Sequence, residues 1–180
     1  MEQPQTVLRF WFEELTRQQW FQVSPDLDAA IGERFGQTHL ALARGAVIDW
    51  RSSPDHRLAA VIVLDQFSRN IYRATPLAFA ADWMALREAR LAIEAGADQA
   101  VASERRAFFY LPFEHSEALA DQERSVELFR ALGDREYLDY AERHLAVIRE
   151  FGRFPHRNGL LGRDSTGAEL DYLSKPGAGF

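Results

Sequence analysis

The sequence predicts an all-α protein, and three observations carry that reading. Ser24-Pro25, Ser53-Pro54 and Thr75-Pro76 each set a capping side chain before a proline at the first helical position, where its missing N–H costs nothing. Gly45, Gly96, Gly133 and Gly152 fall where the helices would end, and glycine accepts the left-handed conformation that closes many of them. No paired alternating runs flank a tight turn, so no β-hairpin is expected.

The implied helices run over 4–15, 25–44, 54–68, 76–95, 116–132 and 135–151. Over 25–44, Leu27, Ile31, Phe35, Thr38 and Leu42 fall on one stripe at the 3.6-residue period. The run Leu58–Leu64 has the composition of a buried strand, but the Ser-Pro start and the continuation into Asp65-Gln66-Phe67-Ser68-Arg69-Asn70 favour a buried helix. In 135–151 the stripe is Tyr137, Tyr140, Ala141, Ile148 and Phe151. A short turn of helix is expected near 103–110, and a last helix starts at Thr166, where Thr-Gly-Ala-Glu has the capping-box form. Short connections favour antiparallel hairpins. The expected architecture is one domain over 1–180, with about seven or eight helices stacked in a TPR-like superhelical array. No sequence repeat is found at the TPR period of about 34 residues. The stretch Ser174–Phe180 is expected to fray or pack loosely.

Composition limits function. With 180 residues, 47% hydrophobic and 27% charged, the chain can bury a core without staples. It has no cysteine, which removes disulfides, thiolate metal sites and a cysteine nucleophile. The formal net charge of -6 argues against a nonspecific grip on nucleic acid. The start lacks the pattern of a secretory signal and no run is long enough to span a membrane, so a cytoplasmic location is expected. Of the 21 basic residues all are arginine except Lys175.

Several polar residues sit on faces that should be buried. Asp65 projects between Leu58, Val61 and Ile62, with Arg69 four residues on. The pair either fixes helix packing internally or faces a cavity with Asn70 and Tyr72-Arg73 at its lip. Asp121 shares a face with Leu128 and Leu132, and Glu114, His115 and Glu117 gather just before it. The helix dipole accounts for part of that cluster, and the spacing matches no familiar metal motif, so no metal ligand is assigned. His144 lies inside the apolar stripe of 135–151 and reads as a core histidine; His39 and His56 read as peripheral. Arg87 and Arg90 share a face with Phe79 and Trp83, where stacking explains them. The aromatics Phe10, Trp11, Phe12, Trp20, Phe21, Phe108, Phe109, Tyr110 and Phe113 read as core, with an apolar pocket as the alternative.

Three segments are unusual combinations: Leu64–Arg73, Phe108–Val126, and Phe151–Asn158 followed by Leu161–Thr166. At these residues the chain resembles a bacterial family, the domain of unknown function 924 family, from Val7 through the final short helix. Ser68 stands where many relatives have proline. The resemblance implies an all-helical, TPR-like fold and no established activity, so no catalytic residue is carried over.

The three segments supply Asp65, Glu114, Glu117 and Asp121, the guanidinium groups of Arg69, Arg73, Arg153, Arg157 and Arg163, the amides Asn70 and Asn158, and His115 and His156. Helix ends meeting at one side of a stack would collect them in a polar cleft. The planar fork of arginine suits carboxylate or phosphate, so a small anion is the expected ligand, with His115 or His156 as proton-transfer candidates. A peptide scaffold reading a terminal carboxylate, and a purely structural ion network, are the alternatives. No cofactor motif is present, and a homodimer contact through aromatics of the first helix is left open.

Overall fold

The computed structural model describes residues 1–179, and among them the regular structure is entirely helical. The chain divides into two compact units, Met1–Arg73 with Leu77–Pro112, and Ala74–Pro76 with Phe113 onward. No helix among the described residues is long and apolar enough to cross a membrane.

In the first unit, α1 (Pro4–Arg9) runs directly into a π-helical turn at Phe10–Glu14, followed by α2 (Arg17–Phe21). Then come α3 (Pro25–Ala43), α4 (Pro54–Ile62), a second π turn at Val63–Phe67, and α5 (Ser68–Ile71). The expected helix 54–68 is therefore continuous, but widened over its last third and carried on to Ile71. The Ser-Pro starts behave as read: Ser24 Oγ accepts from the Leu27 N–H at 3.3 Å and Ser53 Oγ from the His56 N–H at 3.2 Å. Thr75-Pro76 does not. Pro76 opens only a 3-10 turn, Pro76–Phe79, and α6 (Asp82–Glu94) begins later, which puts Asp82 at its first turn.

Then follow α7 (Ala97–Ala100) and α8 (Ser103–Glu114). The short turn expected near 103–110 is a full helix whose residues 107–114 are all buried; Pro112 falls in its last turn, where it lacks the N–H that would bond the Phe108 carbonyl. Eleven α-helical segments are formed among the described residues, against the seven or eight expected. The π turn splits one expected helix, and α2 and α7 are too short to show a period.

The core of the first unit is aromatic. Trp11, Phe35, Phe67 and Phe108 are fully buried. Phe67, on the second π turn, meets Phe35 at 4.8 Å and Trp11 edge-on at 5.5 Å; Trp11, on the first, meets Phe108 edge-on at 5.7 Å. The two π turns thus touch through their rings, and the aromatics fill a core where a pocket was the alternative. Phe21 alone of the N-terminal group is largely exposed.

In the second unit, α9 (Leu119–Leu132) and α10 (Arg135–Phe151) form an antiparallel hairpin through Gly133-Asp134. Arg130 pairs with Glu142 at 3.4 Å and Glu123 with Arg149 at 3.2 Å, so a step back along α9 is matched by a step forward along α10. Asp134 Oδ1 accepts from the N–H groups of Glu136 and Tyr137, and Gly152 closes α10 at φ 70° with its N–H on the Ile148 carbonyl at 2.8 Å. Tyr140, expected on the buried stripe, is largely exposed, while His144 and Leu145 are buried in its place. The last helix, α11 (Gly167–Leu173), begins with the expected capping box at Thr166 and Glu169.

Beyond α11, Lys175–Ala178 make a tight turn closed by the Ala178 N–H on the Lys175 carbonyl at 3.2 Å; residues 174–177 are exposed, and Phe180 lies outside the described residues.

Because Phe67 has no exposed surface and contacts rings from two other helices, Phe67→Ala is expected to cost about 3–5 kcal/mol, read as a lowered urea midpoint.

Candidate functional site

The residues singled out in the sequence divide between the units. In the first, Asp65 is 1% exposed and sits on the π turn. Arg69 reaches its carboxylate at 3.3 Å and its carbonyl at 2.7 Å, then grips Asp82 with both terminal nitrogens at 2.9 and 3.1 Å. Gln66 donates to the other Asp65 oxygen at 2.6 Å. A carboxylate out of water needs such partners, since an unmatched buried charge costs several kcal/mol. Asn70 and Arg73 converge on Asp28 of α3: Asn70 Nδ2 at 2.8 Å, Arg73 Nε at 2.5 Å and Nη2 at 2.9 Å. Burial pushes the Asp28 carboxyl up, but Arg73 and Asn70 outweigh it and hold it below its ordinary value.

Ser68 is explained by the same turn. Its hydroxyl donates to the Leu64 carbonyl at 2.6 Å and lies 2.7 Å from His39 Nε2. The single hydroxyl proton is used on Leu64, so His39 donates from Nε2. His39 is therefore buried and bonded, not peripheral, and burial holds it neutral by lowering its affinity for a proton.

Glu88 is a further buried carboxylate that the sequence reading missed. It takes a two-pronged bond from Arg51 at 2.7 and 2.8 Å and another from Arg87, which also lies over the Trp83 ring at 5.3 Å.

In the second unit, the chain after α10 turns a corner at Phe154–Asn158. Glu117 accepts from Arg163 at 2.8 and 2.9 Å and from the Phe154 N–H at 2.7 Å. Asn158 accepts from Arg163 Nε at 2.9 Å and donates to Ser165 at 3.0 Å. Arg153 grips Glu169 at 2.6 and 2.8 Å, so its partner is a capping-box residue and not one of the acids considered from the sequence. Asp121 accepts from Ser116 at 2.8 Å.

What remains is a histidine corner. His144 Nδ1 lies 2.8 Å from the Tyr140 carbonyl and 3.4 Å from Glu114 Oε1. Its ring meets Phe154 edge-on at 5.5 Å; Phe154 also meets His156 at 5.6 Å and carries the Arg157 guanidinium 4.6 Å above its face. Arg157 is 6% exposed. Burial pushes His144 down to about 3, and the charges of His115, Arg157 and His156 add to the shift. Burial likewise pushes His156 down to about 4, with Arg157, Arg163 and His115 acting the same way and Glu117 opposing. His115, His144, His156 and Arg157 therefore act on one another. His144 was legible only as a core residue, because nothing in its own helix shows what the corner brings to it. Among the described residues no three histidine or acidic side chains are grouped as metal ligands.

An open groove of about 810 Å³ also runs along the outer face of α9 and α10. It is lined by Glu123, Glu127, Glu142 and Glu150 against Arg130 and Arg149, an acidic balance that disfavours an anion.

The buried groups set the response to acid. His144 and His156 bind a proton less readily folded than unfolded, so stability is complete above the ordinary value of 6.5 and is lost as pH falls toward about 4 and then 3. Glu169, held at about 2 chiefly by Arg153, adds stability that is complete above 4.5 and lost as pH falls toward about 2. The urea midpoint is expected to be flat above pH 7 and to fall in two stages. His156→Gln should make the upper stage shallower, and Glu169→Gln the lower.

Over residues 7–177 the chain matches the family described as "Bacterial protein of unknown function (DUF924)". It is also similar to a solved structure of a protein of unknown function from Agrobacterium tumefaciens, with 40% identity and a TM-score of 0.91 over 95% of this chain and 96% of that one. No curated protein is significantly similar. With the all-helical fold and the three motif segments in order, the chain belongs to the DUF924 family.

Proposed function

We propose that the protein binds a small anion, a phosphate or carboxylate, at the corner formed by His115, His156 and Arg157. The supporting observation is the field at that corner. Burial, and after it the charge of Arg157, make the addition of a proton at His144 and His156 unfavourable. Burial is the larger cause of both shifts and disfavours charge of either sign; the smaller like-charge part, from Arg157, is what favours an anion. Arginine supplies the planar donor set and the histidines supply ring N–H groups.

The other arginines support a structural role instead. Arg69, Arg73, Arg153 and Arg163 each make two or more charge-assisted bonds to carboxylates, and those pairs hold helix ends and loops in place. The structural-network reading thus has support for these residues, while the anion reading rests on Arg157 and its histidines. A peptide terminus in the groove on α9 and α10 would meet mostly carboxylates. No reaction is assigned, since His156 near 4 is far from the value that suits a general base at neutral pH.

Titration with inorganic phosphate, followed by thermal shift and calorimetry, tests the reading. Phosphate should stabilise the wild type, and Arg157→Gln should weaken binding by about tenfold or more, the cost of one charge-assisted bond. Arg73→Gln should lower the melting temperature without changing phosphate affinity. An anion favours the protonated form of His156, so affinity should rise as pH falls from 6.5 toward 4. Equal phosphate affinity in wild type and Arg157→Gln would refute the site.

A further inference from the structure

The stretch that follows α11 is built to come back onto the histidine corner. Lys175-Pro176-Gly177-Ala178 has proline at the second turn position, glycine at the third with φ 77°, and the closing bond from the Ala178 N–H to the Lys175 carbonyl, the marks of a type II turn. Its base is fixed at two points. Glu169 of α11 is held by Arg153, and Tyr172 packs on Phe151 at 5.2 Å.

Past the turn, the chain is pressed against His156. A Cβ added to Gly179 would lie 3.1 Å from His156 Cβ, 3.6 Å from Cγ and 4.0 Å from Nδ1, and Gly179 has φ 84°. Only glycine meets both conditions without displacement, since other residues rarely take that φ and any side chain would meet the imidazole. At Gly177 the same construction comes within 3.9 Å of Arg143 Nη2, so the turn also lies beside α10.

We propose that Lys175–Gly179 is a strap that docks its glycine backbone on His156, and that strap docking and ligand binding at the His156–Arg157 corner exclude each other. The exclusion rests on the anion reading above; the docking stands on the geometry alone. The strap touches the site with a residue that has no side chain, an arrangement that lets it leave without disturbing α11. A ligand would thus compete with part of the protein's own chain for the space beside His156.

Two measurements on the full chain test this. Gly179→Val removes the fit sterically and through its φ; Pro176→Gly leaves the contact possible but loosens the turn, and should act in the same direction more weakly. The first measurement is the proton titration of His156 by NMR. The imidazole faces Arg157, Arg163 and His115, which disfavour its proton, and Glu117, which favours it. With the strap displaced, water reaches the ring and its pKa should rise from about 4 toward 6.5 in Gly179→Val. The second is phosphate affinity, which should increase roughly fivefold or more in the same variant as the competing state is removed. An unchanged His156 titration in both variants would show that the strap does not cover the ring, and would overturn the docking. A shifted titration with unchanged phosphate affinity would overturn the exclusion. Phosphate binding by neither wild type nor variant would remove the anion reading, while the titration would still decide whether the strap docks.

Discussion

The Glu117 carboxylate, on the short connection between α8 and α9, is the hinge pin of the second unit. One oxygen takes the Phe154 N–H and an Arg163 N–H, and the other takes a second N–H from Arg163. The Phe154 N–H lies just past the end of α10, where no helical carbonyl is available to it. Burial alone would raise the Glu117 carboxyl, but Arg163, the Phe154 N–H and the charge of Arg157 together bring it below the ordinary value. The charged form is therefore the stable one. Phe154, whose ring lies beneath the Arg157 guanidinium and beside His144 and His156, is tied down by this carboxylate through its N–H.

Matching a charge out of water is the common theme of both units, and arginine does much of it, beside neutral donors such as Ser116 on Asp121 and Tyr110 on Asp98. Asp65 and Asp82 share Arg69, Asp28 takes Arg73, Glu88 takes Arg51 and Arg87, and Glu169 takes Arg153. Guanidinium stays charged at any pH a protein meets, so these locks open from the carboxylate side alone. The π turn at Val63–Phe67 belongs to the same economy of contacts. It carries Asp65 into the interior beside Phe67 and lets Ser68 and Arg69 reach back to the carbonyls of Leu64 and Asp65.

Much of the helical framework was legible because its signals are local. The serine caps at 24 and 53, the capping box at Thr166 and the stop at Gly152 each depend on three or four adjacent residues. The Asp65–Arg69 contact was legible for the same reason, being one helical turn apart. Partners such as Asp28 for Arg73 lie 45 residues away, and no period or spacing points to them. The Arg153–Glu169 pair was half visible: Glu169 was read as a cap, and a cap residue with a second oxygen to spare is a partner for any nearby cation. Thr75-Pro76 misled because a cap and a proline permit a helix start without requiring one. The Lys-Pro-Gly-Ala turn was present in the sequence, although the two glycines of the stretch, Gly177 and Gly179, drew attention to looseness; proline and glycine in that order specify a turn.

The scarcity of lysine has a practical side. Lys175 is the chain's single ε-amine, and it is exposed at the first position of the turn that leads onto His156. Amine-directed chemistry, which scatters over most protein surfaces, meets here a single lysine side chain at the base of the turn. A fluorophore or spin label attached at Lys175 would report the position of that segment from a natural residue, with the arginine locks of both units left chemically untouched.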